Sequence, residues 1–363
     1  MPKYTENLDL YLTDMENDGN DFYDFDRDLN ENFEKIDEAI GEIQSGFVKP
    51  DFSNLNDEAI DYIRAVTDGL YTPVDLSVKH ADEINTDYDG DVWAWIKARI
   101  QAANYSGIHI GDYIPVTLTG GTIGGTYQIA ANQQHKMVVV GIDTYCGGGD
   151  TVIPHHIDFI SEKTLETNFT WNDGNTNNGT AAQQNPWLSS KIYAILNGVN
   201  NYSTAAQGNL AHGMNCSSGG VLQMLPQACQ NVLIQKRNWM EKQYNASKQV
   251  NYPSDYDWVD MGKLWVPHEV EVCGYQPNSY NRSNDSTANI DNLTRNMTRQ
   301  YPYFMYNSRA KVGANTNARS NYWLCCPSGN AATLVCIVDG NGSVNQTNAT
   351  TTTISACFGF RIG

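Results

Sequence analysis

The feature that most constrains this chain is a change of pattern near Gly107. Downstream of it, short β-type runs, Tyr113 to Leu118, Tyr127 to Ala130 and Lys136 to Ile142, are separated by glycine turns at Gly120-Gly121 and Gly124-Gly125. Two helical patterns follow. Pro186 to Leu196 carries Trp187, Leu188, Ile192 and Ile195, and Leu222 to Leu233 carries Met224, Leu225, Cys229 and Val232. The chain then returns to strands at Leu264 to Val272, Tyr322 to Cys326, Leu334 to Val338 and Ile354 to Ile362. Strands, two helices, then strands predict an α+β domain over residues 107–363. In its last strands Trp323, Leu324, Val335, Ile337, Phe358, Phe360 and Ile362 alternate with polar residues, the pattern of strands with one buried face. Its long stretches rich in Asn, Ser, Thr and Gly (Asn172 to Gln184, Pro277 to Asn296, Ser343 to Thr353) are expected to be uncharged surface loops, a usual setting for binding.

Upstream, the pattern is helical. Leu29, Phe33, Ile36, Ile40 and Ile43 recur at four- and three-residue steps, one apolar seam on a helix beginning near Phe22. Asp21, Asp24, Asp26 and Asp28 crowd its first turns, where the helix dipole favours anions. So short a seam needs a partner, and residues 1–46 are expected to be an attachment and oligomerisation segment. Residues 47–106 are expected to form a small helical connector. Leu55 to Leu70 and Val92 to Ile100 are its helices, broken at Tyr71-Thr72-Pro73.

Charge follows the same division. Residues 1–100 hold 25 acidic and 8 basic side chains, whereas the remaining residues hold 16 and 15. A net charge of -18 argues against nucleic-acid binding, which needs a cationic surface. No run approaches the roughly 18 apolar residues that span a bilayer, so no membrane insertion is expected. The acidic N-terminus lacks a signal-peptide pattern, so synthesis in the cytoplasm without Sec export is expected. The eight cysteines contain no Cys-x-x-Cys pair and are expected to be reduced and mostly buried.

Motifs of chemistry are weak. Asp14-x-Glu16-x-Asp18-Gly19 begins like an EF-hand loop, but its twelfth position is Phe25 where a bidentate Glu is needed. His155-His156 has no partner at helical spacing, so no metal is expected there. No nucleophile elbow or phosphate loop is present. No catalytic residues, metal or cofactor are therefore expected.

Several pieces occur in an order that resembles the C-type-lectin-like domains of phages, prophages and gut bacteria. Some of those domains are the variable proteins of diversity-generating retroelements. The matching residues are Gly111-Asp112-Tyr113-Ile114-Pro115-Val116, Met137 to Ile142, His156-Ile157-Asp158-Phe159-Ile160-Ser161 and Asn185-Pro186-Trp187-Leu188-Ser189-Ser190 leading to Ile195-Leu196-Asn197. They continue with Leu264-Trp265-Val266-Pro267, Glu269-Val270, Ser308-Arg309, Ala318-Arg319-Ser320-Asn321-Tyr322-Trp323-Leu324 and Gly359-Phe360-Arg361-Ile362. Separately, Asn7-Leu8-Asp9-Leu10-Tyr11, Asp18-Gly19-Asn20-Asp21 and Leu29-Asn30-Glu31-Asn32-Phe33-Glu34-Lys35-Ile36-Asp37 resemble the start of phage tail and baseplate appendage proteins.

These resemblances imply two helices packed on short antiparallel sheets, and a place in the virion of a phage. They imply a homotrimeric tail appendage that docks on other tail or baseplate proteins and binds a host surface protein or glycan. Exposed positions between the C-terminal strands would then contact the receptor: Asn317, Ser320, Tyr322, Ser328, Asn330, Thr333, Asn341 and Asn345. The 21 tyrosines and 8 tryptophans suit adhesion. The alternatives are a structural baseplate, collar or head-decoration component that packs on other virion proteins, and a glycan-degrading enzyme, which would need a carboxylate pair in a groove.

Overall fold

A computed structural model describes residues 3–4, 11–12, 33–36, 72–204, 210–243, 255–279, 297–314, 318–329 and 331–363. The chain divides into two compact units, Met1–Thr67 and Asp68–Gly363. In the first, Lys3–Tyr4 pairs antiparallel with Tyr11–Leu12. Residues 33–36 are helical, with Phe33 exposed and Ile36 half-buried. The other seam residues, Leu29, Ile40 and Ile43, lie outside the described residues, as do Asp14 to Phe25 and the helix predicted over Leu55 to Leu70.

The second unit is α+β, with several small antiparallel sheets and short helices. Its central sheet runs in the order Leu264–Trp265, Gly359–Ile362, Ile157–Ser161, Gln133–Ile142, Tyr113–Leu118, and Leu233–Ile234 also pairs with Gly359–Ile362. A three-stranded antiparallel sheet of Tyr322–Pro327, Leu334–Val338 and Val344–Asn348 lies elsewhere in the unit. The helix Val92–Gln101 starts where the Asp91 carboxylate accepts the amides of Trp93 and Ala94. It belongs to the same core as the sheets, and the Trp93 ring meets Phe360 edge-on at 5.9 Å. The boundary expected at residues 106/107 is therefore not one: Leu76, Ile84, Trp95 and Ile100 have no core of their own to bury in.

Local chemistry corrects three further expectations. The helix expected from Pro186 is two, Pro186–Ser189 and Lys191–Asn197, because Ser190 is extended and its hydroxyl caps the second at the Tyr193 amide. The helix expected from Leu222 is split by Pro226, which lacks the donor a helix interior needs. The strand expected over Leu264 to Val272 stops at Trp265. His268 then caps the helix Glu269–Cys273, with Glu271 reaching back to the His268 amide as a capping box.

The last strand is covered on both faces, not one. Phe360 and Arg361 point to opposite sides. Phe360 faces its cross-strand partner Phe159, ring centroids 5.4 Å apart. Arg361 faces Asp158 and holds it through two bonds of 2.7 and 2.8 Å, both side chains fully buried. Burial alone would raise the Asp158 carboxyl, but the Arg361 guanidinium outweighs it and holds the group below its ordinary range. A Cβ at Gly359 would lie 2.6 Å from both the Trp265 ring and the Phe159 carbonyl, so the strand approaches its neighbours this closely only with glycine there.

More charge is buried close by. Lys236 Nζ lies 2.5 Å from Glu271 Oε1 and 3.8 Å from the centroid of the Trp265 ring. The Tyr145 hydroxyl donates to the same Glu271 oxygen at 2.6 Å, and the Arg361 guanidinium carbon lies 5.3 Å from the Tyr145 ring centroid. Breaking one partner out of such a pair strands the other in low dielectric. Arg361→Ala should lower the unfolding free energy by about 3–5 kcal/mol, and the apolar pair Arg361→Met with Asp158→Leu should recover most of that loss. Urea unfolding of the three proteins checks this.

His268 is fully buried, 3.1 Å from Glu241. Burial opposes its charged form, but Cys326, Glu241 and Glu271 outweigh burial and lift the ring to about 10. A group whose affinity for its proton rises on folding stabilises fully below its unfolded value, 6.5 here, and loses that contribution as pH climbs to about 10. Unfolding midpoints measured across that window should fall more steeply for the wild type than for His268→Gln.

Candidate binding surface

Residues 354–356 form a ribbon that carries a different segment on each edge. On one edge Leu165 N donates to Ala356 O (2.9 Å) and Phe169 N to Ile354 O (2.8 Å), and the Ser355 hydroxyl reaches Leu165 O at 2.6 Å and Thr167 O at 2.9 Å. On the other, Trp323 N donates to Ser355 O and Ser355 N to Asn321 O, both at 3.1 Å. The two segments wall a polar cleft of about 330 Å³, lined by Thr164, Leu165, Glu166, Asn168, Gly313, Ala314, Arg319, Ser320, Asn321 and Thr353. Glu166 and Arg319 are its two charged side chains.

Beneath the ribbon the support is aromatic and rigid. Trp323 Nε1 donates to Phe169 O at 2.8 Å, and the Trp171 ring lies 6.0 Å from both the Trp323 and the Trp187 rings. None of the eight tryptophans is exposed. Six of them are buried in the core and Trp239 and Trp258 are half-buried; among the described residues of the second unit the exposed large aromatics are Tyr202, Tyr275 and Tyr306.

One rim of the cleft is a turn. The Asp339 carboxylate accepts the amides of Asn341 (2.8 Å) and Ser343 (3.0 Å), the local closure that Asp-Gly-Asn-Gly-Ser favours. Asn321 Oδ1 accepts the Gly340 amide at 2.7 Å, and Arg319 Nη1 donates to Asn341 Oδ1 at 3.4 Å. Ser320 thus lines the cleft, and exposed Asn341 and Asn345 stand at the same end of the C-terminal sheet. Thr333 is half-buried at its far end.

Two predicted contact residues are inside the protein. Tyr322 is fully buried, its hydroxyl donating to Arg309 O at 2.8 Å. Ser328 is fully buried too, its amide bound to Leu334 O. Both belong to a stretch covered on both sides, so neither offers surface to a macromolecule. Asn317 and Asn330 lie outside the described residues.

The polar loop from Asn172 is only partly surface: Asp173, Asn175 and residues 181–184 are exposed. Asn172, Asn177 and Asn178 are buried. Asn177 Nδ2 donates to Ala331 O at 2.6 Å and to Leu334 O, while Gln243 Nε2 donates to Asn177 Oδ1 and Asn178 Oδ1 at 2.7 Å each. Amides that satisfy interior carbonyls make the loop a strut beneath the C-terminal sheet. Asn172 Oδ1 accepts the amides of Lys191 and Gly213, and buried Gln276 donates to Ser279. Asn172 and Gln276 are therefore structural braces.

A second cluster sits where two neighbouring strands of the central sheet end. Asp143 follows Gln133–Ile142 and His155 precedes Ile157–Ser161, and Asp143 N bonds His156 O at 2.9 Å. His155 is exposed and His156 buried, so the pair splits between two sides. His155 Nδ1 lies 2.6 Å from Asp143 Oδ2 and 3.6 Å from Cys146 Sγ. Helical spacing does not connect these partners, because antiparallel strand ends bring residues 143 and 155 together. The signal that could have found them is a carboxylate and a thiol bounding one end of a hairpin and a histidine the other.

No family model matches the chain, and no curated protein or solved structure matches it. Removing the side-chain acceptor that pins the rim turn should cost about 1 kcal/mol locally. In Asn321→Ala, amide hydrogen exchange at Gly340 should quicken while exchange in Gly359–Ile362 stays unchanged.

Proposed function

We propose that this chain is a bacteriophage tail appendage protein whose second unit, Asp68–Gly363, contains a C-type-lectin-like receptor-binding domain. The observation that carries the reading is the polar cleft beside the C-terminal sheet, with exposed asparagines on its rim and tryptophans locked beneath it. Such a surface is shaped for recognition: preorganised, with one acidic and one basic side chain among amide and hydroxyl groups that bond sugar hydroxyls or peptide groups. The resemblance of the sequence pieces to phage lectin-like domains supports the same reading. Ser320, Asn341 and Asn345 remain receptor contacts in it, joined by Arg319, Glu166 and Asn168.

Residues 1–46 dock the appendage on tail or baseplate proteins, with Leu29, Phe33, Ile36, Ile40 and Ile43 packing three copies together. An exposed Phe33 side chain is consistent with a partner on that face. Several copies on one virion turn weak single contacts into firm attachment.

Labelled full-length protein should bind host cells and compete with virions for adsorption. Arg319→Ala and Asn341→Ala should each weaken binding by roughly tenfold, about 1.4 kcal/mol. Periodate treatment of the cells abolishes binding to a glycan receptor, and protease treatment abolishes binding to a protein one. Protein that leaves cells untouched and only co-assembles with tail components would overturn the receptor reading in favour of a structural role.

A further inference from the structure

We propose that Asp143, Cys146 and His155 form a binding site for one divalent transition-metal ion of the zinc class. A thiolate, an imidazole and a carboxylate are the donors such an ion selects. Here the three ligand atoms lie within 4.8 Å of one another. Bonds of about 2.0–2.3 Å at tetrahedral angles set donor atoms roughly 3.3–3.7 Å apart. The 3.6 Å between Cys146 Sγ and His155 Nδ1 already meets that spacing. The 2.6 Å between His155 and Asp143 is a hydrogen bond, which lengthens when the ion takes the place of the shared proton.

The site is held from behind. The second carboxylate oxygen of Asp143 accepts the Tyr105 hydroxyl and the His156 amide, both at 2.8 Å, so Oδ2 is presented to the outside. The loop is fixed by Cys146 N to Asp143 O (3.1 Å) and Gly147 N to Ile153 O (3.0 Å). Asp143 itself adopts a left-handed φ of 49°, a conformation uncommon outside glycine that lets the chain turn back within this loop. In front the site is open, with the His155 side chain 49 % exposed, so an ion and a water as fourth ligand can enter. Binding releases the proton of the Cys146 thiol to solvent and takes His155 as the neutral ring, with its proton on Nε2 and the lone pair of Nδ1 on the ion.

Two rival readings are weaker on geometry. In a nucleophilic relay the thiol and the carboxylate must meet opposite nitrogens of the imidazole, and here both approach Nδ1. The other cluster of suitable donors among the described residues, Glu269, Cys326 and Cys336, is fully buried, and both Glu269 oxygens already accept amides of Asn278 and Ser279.

The test is titration of the reduced full-length protein with Co2+, followed by Zn2+ competition. One equivalent of Co2+ should produce thiolate-to-cobalt charge-transfer absorption that Zn2+ abolishes. Cys146→Ser and His155→Ala should lose that band. Tyr105→Phe should keep the band but weaken the affinity by roughly tenfold, the usual cost of losing a bond to a ligand. In the unaltered protein, saturating Zn2+ should slow alkylation of Cys146 by about tenfold, which requires no variant to fold. Absence of the band in the wild type, its persistence in Cys146→Ser, or alkylation of Cys146 at the same rate with and without Zn2+ would overturn the proposal.

Discussion

The Arg361–Asp158 pair is the interaction around which the second unit is arranged. It joins the two strands at the middle of the central sheet, and it does so on the face opposite the Phe159–Phe360 contact. A charge pair fully out of water is tolerable only when its remaining surroundings are polar or polarisable. Tyr145, Lys236, Glu271 and the Trp265 ring meet that demand. They come from three separate stretches of chain, around residues 145, 236 and 265–271, so satisfying one charge cluster fixes where those stretches must lie. A fold built this way specifies a single arrangement, since any slip of register exposes an unpaired charge to the interior.

The same logic recurs at the cleft in neutral form. Ser355 bonds both walls through its backbone and hydroxyl, and Asn177 and Asn321 hold the turns of the C-terminal sheet through their side-chain amides. Short polar side chains do here what a wide apolar interface does in larger domains. They fix loop geometry in a region where the exposed faces must stay polar.

Much of the framework was legible in the sequence, and the reasons are local. Tyr113–Leu118 and Leu334–Val338 emerge with the predicted limits, because alternation or a β-branched run bounded by turn residues admits few other readings. The helix from Val92 likewise declares itself by Asp91 and its tryptophans. Other elements were hidden by competing local signals. The valines of Glu269–Cys273 read as strand, and only the Pro267-His268 start with Glu271 behind it marks a capped helix. Burial of Ser328 could not be read, because it depends on the Asn177 strut 151 residues away in the chain, and burial of Tyr322 because it depends on the distant Arg309 carbonyl and on pairing with Ser355. For the same reason Glu166 and Asn168 went unnoticed: they reach the cleft only because residues 165–169 zip onto residues 354–356. The grouping of Asp143 and Cys146 with His155 likewise follows from strand pairing, which sequence spacing does not encode.

The cleft separates two kinds of position that usually compete. The bonds that keep its shape run through the backbone of residues 354–356 and the buried Trp323, whereas Asn341 and Asn345 point outward from strands and turns that other residues secure. Side chains on the outer rim are therefore nearly free of structural duty. Those positions can therefore be exchanged without renegotiating how the polypeptide folds.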